Sequence, residues 1–180
     1  MKTLNAALDN MRGKTSSMSP ATVDKMNYRI EYGGTELLDS IEPLWQELTL
    51  LHSEKSQYFK EDYKAFQFET RKRDLIEKSK RGSLKVFLCL DDQNRICGYS
   101  ISSIKDYEGE IDSIYIKEKS RRKGIGSDLM SECIKWFKEN SVKRIKVGVA
   151  FGNEEVFPFY EKFGFFPRVT FMTSKHWLSG

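Results

Sequence analysis

The sequence predicts a single α/β domain, grading into α+β, built on a central sheet of mixed strand direction. Three observations lead there. Residues 84–90, 95–103 and 110–116 are strand-like runs in close succession, the first two separated by the turn sequence Asp91-Asp92-Gln93-Asn94. Residues 110–150 read strand, glycine-bearing loop, amphipathic helix and strand, a unit expected to form a right-handed parallel crossover. A length of 180 residues with 39% apolar content is enough for one core, and no internal repeat or second domain is visible.

Taken in order, residues 1–25 are polar, rich in Ser, Thr, Asn and Lys, and lack an apolar segment of the secretory kind. They read as a flexible leader, with the domain occupying 26–180. Residues 27–32 alternate as a half-buried strand does. Gly33-Gly34 punctuates, and Thr35 is an N-cap candidate. Leu37, Leu38, Ile41, Leu44, Trp45, Leu48 and Leu51 then form a helical stripe, with Pro43 as a kink or restart. A second helical region is expected over 61–80, closed by Gly82. Beyond the crossover helix, whose apolar face holds Leu129, Met130, Cys133, Ile134 and Phe137, residues 143–150 read as a strand. A short helix over 154–163 ends at Gly164, and 165–173 reads as a last strand.

Bulk properties exclude several classes. The net charge of +4 suits anionic ligands but is far below that of a dedicated nucleic-acid binder, and no recognition-helix or RNA-binding aromatic pattern is present. No apolar run is long enough to cross a membrane as a helix. Three cysteines, Cys89, Cys97 and Cys133, without a CxxC pair, argue against a disulfide framework or zinc site and favour a reduced, cytoplasmic setting. His52 and His176 have no carboxylate or cysteine company in the sequence that would suggest a triad or metal site.

The most informative stretch is the loop Arg121-Arg122-Lys123-Gly124-Ile125-Gly126-Ser127. Between a strand and a helix start, such a loop offers unpaired N–H groups and the positive end of the helix dipole to an anion. It lacks the GxxxxGK[ST] of a P-loop. It also lacks the third glycine of a dinucleotide fingerprint, since Leu129 stands in that place.

Arg121-x-x-Gly124-x-Gly126, followed downstream by Asn153-Glu154-Glu155-Val156-Phe157-Pro158-Phe159-Tyr160-Glu161-Lys162-Phe163-Gly164-Phe165, resembles the two motifs of the GNAT family of acyl-CoA N-acyltransferases. Val156 stands where that family more often has alanine. The resemblance implies a mixed sheet of six to seven strands with a splayed parallel pair, flanked by about four helices. It implies acetyl transfer from acetyl-CoA, without a metal, to an amine-bearing acceptor: a small molecule, a protein lysine or an N-terminus. A CoA-binding sensor or interaction module of the same fold is the alternative, and a homodimer is compatible with either.

The residues meet the demands of that chemistry. Arg121, Arg122, Lys123, Gly124, Ile125, Gly126 and Ser127 would hold the pyrophosphate. By analogy Ile114, Tyr115 and Ile116 would present a strand edge to the pantetheine amides, with an N–H near Ile114 facing the thioester oxygen. Asn153 would cap its helix and reach the pantetheine. Glu110 and Asp112, two apart on one strand, share a face unless a bulge intervenes. Glu110, eleven residues before Arg121, resembles the base of the histone-acetyltransferase branch, acting directly or through water, with Asp112 second. The base reading is favoured; the alternative is that both are solvated or ion-paired strand carboxylates. Tyr160 corresponds to the family's tyrosine acid. By the same resemblance Tyr58, Phe59 and Tyr63 are candidates for the acceptor wall, and they could equally be core or dimer contacts.

Overall fold

The computed structural model describes residues 27–175; the proposed leader and His176 lie outside them. Five strands form one sheet in sequence order: β1 (Tyr28–Gly33), β2 (Ser83–Asp91), β3 (Ile96–Lys105), β4 (Glu108–Ile116) and β5 (Arg144–Val147). The first three pairings are antiparallel, and β4 and β5 are parallel. Among the described residues the helices are α1 (Leu38–Lys55), α2 (Lys60–Ala65), α3 (Phe68–Lys80), α4 (Ile125–Glu139) and α5 (Phe157–Glu161).

Strand alternation builds two cores, one on each face of the sheet. Val86, Leu88 and Leu90 of β2 pack with Leu38, Ile41, Leu44 and Trp45 of α1 and Leu75 of α3. Phe87 and Cys89 point the other way and meet Leu129, Met130, Cys133 and Phe137 of α4. The result is a three-layer arrangement of helices, sheet and helices. α1 runs through Pro43 and is preceded by a 3-10 turn, Thr35–Leu37, for which Gly34 rather than Thr35 stands at the cap.

The single helix expected over 61–80 is two. Phe66 is extended and separates α2 from α3, so that Phe66 and Phe68 both pack on Trp45, with ring centroids 5.6 and 5.4 Å away. Residues two apart on a continuous helix face away from each other, so the break is what lets both rings reach one partner. Gly82 has no positive φ; it is required because a Cβ there would lie 2.0 Å from the carbonyl oxygen of Ile104.

The sheet has five strands among the described residues, not six or seven. Residues 165–173 alternate in sequence but pair with no strand, and Phe166, Val169, Phe171 and Met172 are exposed. Residues 148–150, expected to continue β5, do not pair either.

Two irregularities in β4 shape what lies beside it. Ile101 pairs with Ser113 and Ser102 with Ile111, so Asp112 is the extra residue of a β-bulge. The ladder to β5 runs only from Glu108 to Ile111 and stops. Beyond Ile111 and Val147 the two parallel strands separate, and a cleft opens between them.

Candidate active site

The cleft has a volume of about 470 Å³. Its walls come from β4 (Asp112 to Ile116), the loop after it (Arg121, Arg122, Gly124), the first turn of α4 (Gly126, Ser127), residues 147–150, the segment containing Asn153, Phe159 and Tyr160, and Leu48, Leu51 and His52 of α1.

The loop is shaped by backbone conformations that most residues avoid. Arg122 has φ +59° and Gly124 φ +90°. A Cβ on Gly124 would find only the Tyr28 hydroxyl, at 3.5 Å, so this glycine is needed for its dihedral and not for space. Gly126 differs: a Cβ there would sit 3.3 Å from Ile116 Cδ1 and 3.4 Å from the Phe159 ring, in tight contact at the cleft wall. The first bond of α4 runs from Asp128 N–H to the Gly124 carbonyl. No side chain caps the helix, so the N–H groups of Gly126 and Ser127 are without acceptors among the described residues. Arg121 folds back, donating from Nε to the Ile116 carbonyl at 3.0 Å, with its guanidinium 5.5 Å from the Tyr115 ring centre. The Tyr28 hydroxyl donates to Asp128 at 2.5 Å, tying β1 to the start of α4.

Asp112 and Glu110 meet one cation. Lys78 Nζ of α3 donates to Asp112 Oδ1 at 2.5 Å and to Glu110 Oε2 at 2.8 Å. Lys146 adds a second contact to Glu110 at 3.1 Å. Burial would raise the Glu110 carboxyl, but Lys78 and Lys146 outweigh it and hold it below its ordinary value. Burial works against the Lys78 ammonium, and the two carboxylates more than offset that, raising it. The Asp112 side chain is 1% exposed, and its Oδ2 is buried without a partner. Arg71 binds the Asp112 carbonyl at 2.9 Å.

Across the cleft, Lys55 donates to Asn153 Oδ1 at 2.9 Å and pairs with Glu155. Asn153 therefore gives its oxygen to a lysine and makes no helix-capping bond from its side chain. Tyr160 is buried, with Phe159 and Phe165 as ring neighbours, and its hydroxyl has no hydrogen-bond partner among the described residues. Burial, with a smaller contribution from Cys133, pushes this phenol up to about 12.

The structure thus gathers Asp112, Ile114, Tyr115, Ile116, Arg121, Arg122, Gly124, Gly126, Ser127, Asn153 and Tyr160 around one cleft. Glu110, Lys123 and Ile125 are not among its lining residues, and the Ile125 side chain is in the core. Neither are Tyr58, Phe59 and Tyr63: Tyr58 packs on Phe151, Phe59 precedes α2, and Tyr63 lies against His52. Leu48, Leu51 and His52 were not legible as cleft residues. The two leucines belong to the apolar stripe of α1, whose register alone does not tell core from cleft, and His52 has no sequence-local partner. Among the described residues no group of three or more His, Cys, Asp or Glu side chains is placed to hold a metal ion.

A strand pair that separates beside a basic, uncapped helix start is the architecture of the GNAT acyltransferases, and comparison bears this out. The model of the acetyltransferase (GNAT) family matches residues 45–165. The chain belongs to that family. Among solved structures, it is similar to a Pyrococcus furiosus protein described as an acetyl transferase, at 26% identity and TM-score 0.64, covering 82% of this chain and 99% of that one. It is also similar in fold to PaiA N-acetyltransferase of Thermoplasma acidophilum in complex with coenzyme A (18% identity, TM-score 0.60, 76% and 88% covered). A GCN5-related N-acetyltransferase from Ralstonia eutropha gives 14% identity and TM-score 0.66 over 82% and 98%.

Proposed function

We propose that the protein transfers an acetyl group from acetyl-CoA to a primary amine by direct attack on the thioester. The observation that carries this reading is the alignment of features along one cleft. Uncapped N–H groups of Gly126 and Ser127 lie at one end, the unpaired edge of β4 runs beside it, and a buried phenol lines it. The pyrophosphate of CoA would sit on the α4 N-terminus, with Arg121 and Arg122 supplying charge. Its pantetheine amides would pair with residues 114–116, as an added strand does. The Ile114 N–H would stabilise the oxyanion of the tetrahedral intermediate, and the Tyr160 hydroxyl would face the departing sulfur. The acceptor carries an amine on a small molecule, a protein lysine or an N-terminus.

A second reading, a CoA-binding module without turnover, is favoured by one observation: the Glu110 carboxylate is engaged by two lysines. One experiment separates the two. Acetyl-CoA binding is measured by calorimetry, and CoA release is followed across a panel of amines. Binding with turnover supports transfer, binding without turnover supports the module, and absence of both removes CoA from the account.

A further inference from the structure

We propose that His52 is the residue that accepts the proton of the incoming amine, a role that rests on the acetyl-transfer reading above. His52 stands in the last turn of α1 and lines the same cleft as Ser113, Ile114 and Tyr160. Its ring is oriented by Tyr63 of α2, with centroids 5.4 Å apart and planes at 58°. Neither ring nitrogen has a hydrogen-bond partner among the described residues, and neither is a buried orphan, so both keep accessible surface on a side chain that lines the cleft.

The competing bases are occupied or out of reach. Glu110 lies outside the cleft lining and is held by Lys78 and Lys146. Asp112 gives Oδ1 to Lys78, and its free Oδ2 has no accessible surface for an amine to approach. Glu155 is paired with Lys55. Lys55 on its own helix and Tyr63 on α2 act on the imidazole directly, and the other titratable or charged side chains lining the cleft are Asp112 on β4, Arg121 and Arg122 in the loop, Glu155 before α5, Tyr160 on α5 and Lys162 just beyond it. Burial first, and Lys55 second, hold His52 below its ordinary value of 6.5, so it is uncharged at neutral pH and able to accept a proton.

The step balances. An imidazole lone pair takes one proton from the substrate ammonium. The freed amine nitrogen forms the C–N bond, and the carbonyl pair moves onto oxygen beside the Ile114 N–H. Collapse breaks the C–S bond, and the second nitrogen proton ends on the CoA sulfur. The imidazolium then returns its proton to water. The products are the amide and free CoA.

The test is the pH dependence of kcat/KM for the best-used amine of the panel, in wild type, His52→Gln and His176→Gln. The expected wild-type profile has a rising limb below pH 6.5, kept by His176→Gln. In His52→Gln that limb is replaced by one following the amine's own ionisation, near 8 for an α-amine or about 10 for a lysine-like amine. At neutral pH His52→Gln lowers kcat by about 10²- to 10⁴-fold, with the KM for acetyl-CoA unchanged. An unaltered limb and rate in His52→Gln overturn the assignment while leaving acetyl transfer standing. If wild type uses no amine, acetyl transfer falls and this role falls with it. An acceptor-independent check uses His176→Gln, in which His52 is the one remaining histidine. Its imidazole, titrated by NMR, has a midpoint below 6.5, and a midpoint above 6.5 overturns the proposal.

Discussion

Tyr160→Phe removes one oxygen and little else. The hydroxyl has no protein partner among the described residues, so its loss orphans no donor or acceptor. The ring keeps its contacts to Phe159 and Phe165, at centroid distances of 5.2 and 6.3 Å. Stability therefore changes by less than about 0.5 kcal/mol, read as an unchanged urea midpoint. The kinetic effect follows from the acidity of the phenol, which burial has pushed up to about 12. A simple thiol has a pKa of about 8.5, so full transfer from this phenol to a CoA thiolate runs uphill by about 3.5 units, or about 4.8 kcal/mol. Tyr160 is thus expected to donate a hydrogen bond to the developing thiolate rather than deliver its proton outright. A hydrogen bond to a charged partner contributes about 1.5–3 kcal/mol, equivalent to about 10- to 150-fold in kcat. The assay is steady-state CoA release at saturating acetyl-CoA, with KM for acetyl-CoA expected to hold. A loss beyond about 1,000-fold would show that the phenol delivers its proton in full, and no loss would remove it from the reaction. Either result would rule out a hydrogen-bonding role for this hydroxyl.

Other substitutions separate backbone from charge. Gly124→Ala forces φ +90° on an L-residue with no steric contact closer than 3.5 Å. It should cost about 1–2 kcal/mol by urea unfolding, and no change would show the loop to be pliable. Lys78→Met takes the ammonium from an Asp112 side chain that is 1% exposed and leaves it Arg71 at 3.9 Å. A loss of about 3 kcal/mol is expected, the low end for breaking a buried pair because Lys78 is partly exposed. Acid stability follows from two depressed values. The His52 contribution is present above pH 6.5 and is lost as pH falls through its lowered folded value; that of Glu110 is present above 4.5 and is lost further down. Urea midpoints across that range should fall in two stages, the upper absent in His52→Gln and the lower reduced in Lys78→Met.

Much of the fold could be read directly because β2 and α4 present strict periodicities. Val86, Leu88 and Leu90 oppose Phe87 and Cys89, and this alternation alone sorts the two cores. The basic loop was legible because glycine and consecutive cations have few reasons to stand together at a helix start. Other features were hidden because they are tertiary. The bulge at Asp112 depends on how β3 pairs, which no local pattern encodes. The break at Phe66 is dictated by Trp45, some twenty residues away in sequence. Residues 165–173 have the alternation of a strand, but alternation supplies no partner edge. His52 gave no signal because its surroundings come from separate parts of the chain, while Glu110 gave a strong one although its carboxylate turns to Lys78 and Lys146.

The proposed transfer requires the loop ending in the uncapped start of α4 to hold the pyrophosphate of CoA. Calorimetric titration of acetyl-CoA into wild type and Gly126→Asp tests it most directly, since the new side chain would project from a Cβ at the cleft wall, 3.3 Å from Ile116 Cδ1. One-to-one binding by the wild type is expected, with at least about a tenfold weaker affinity in the variant, as like charge and added bulk oppose the phosphates. Equal affinities, with both proteins folded, would contradict it.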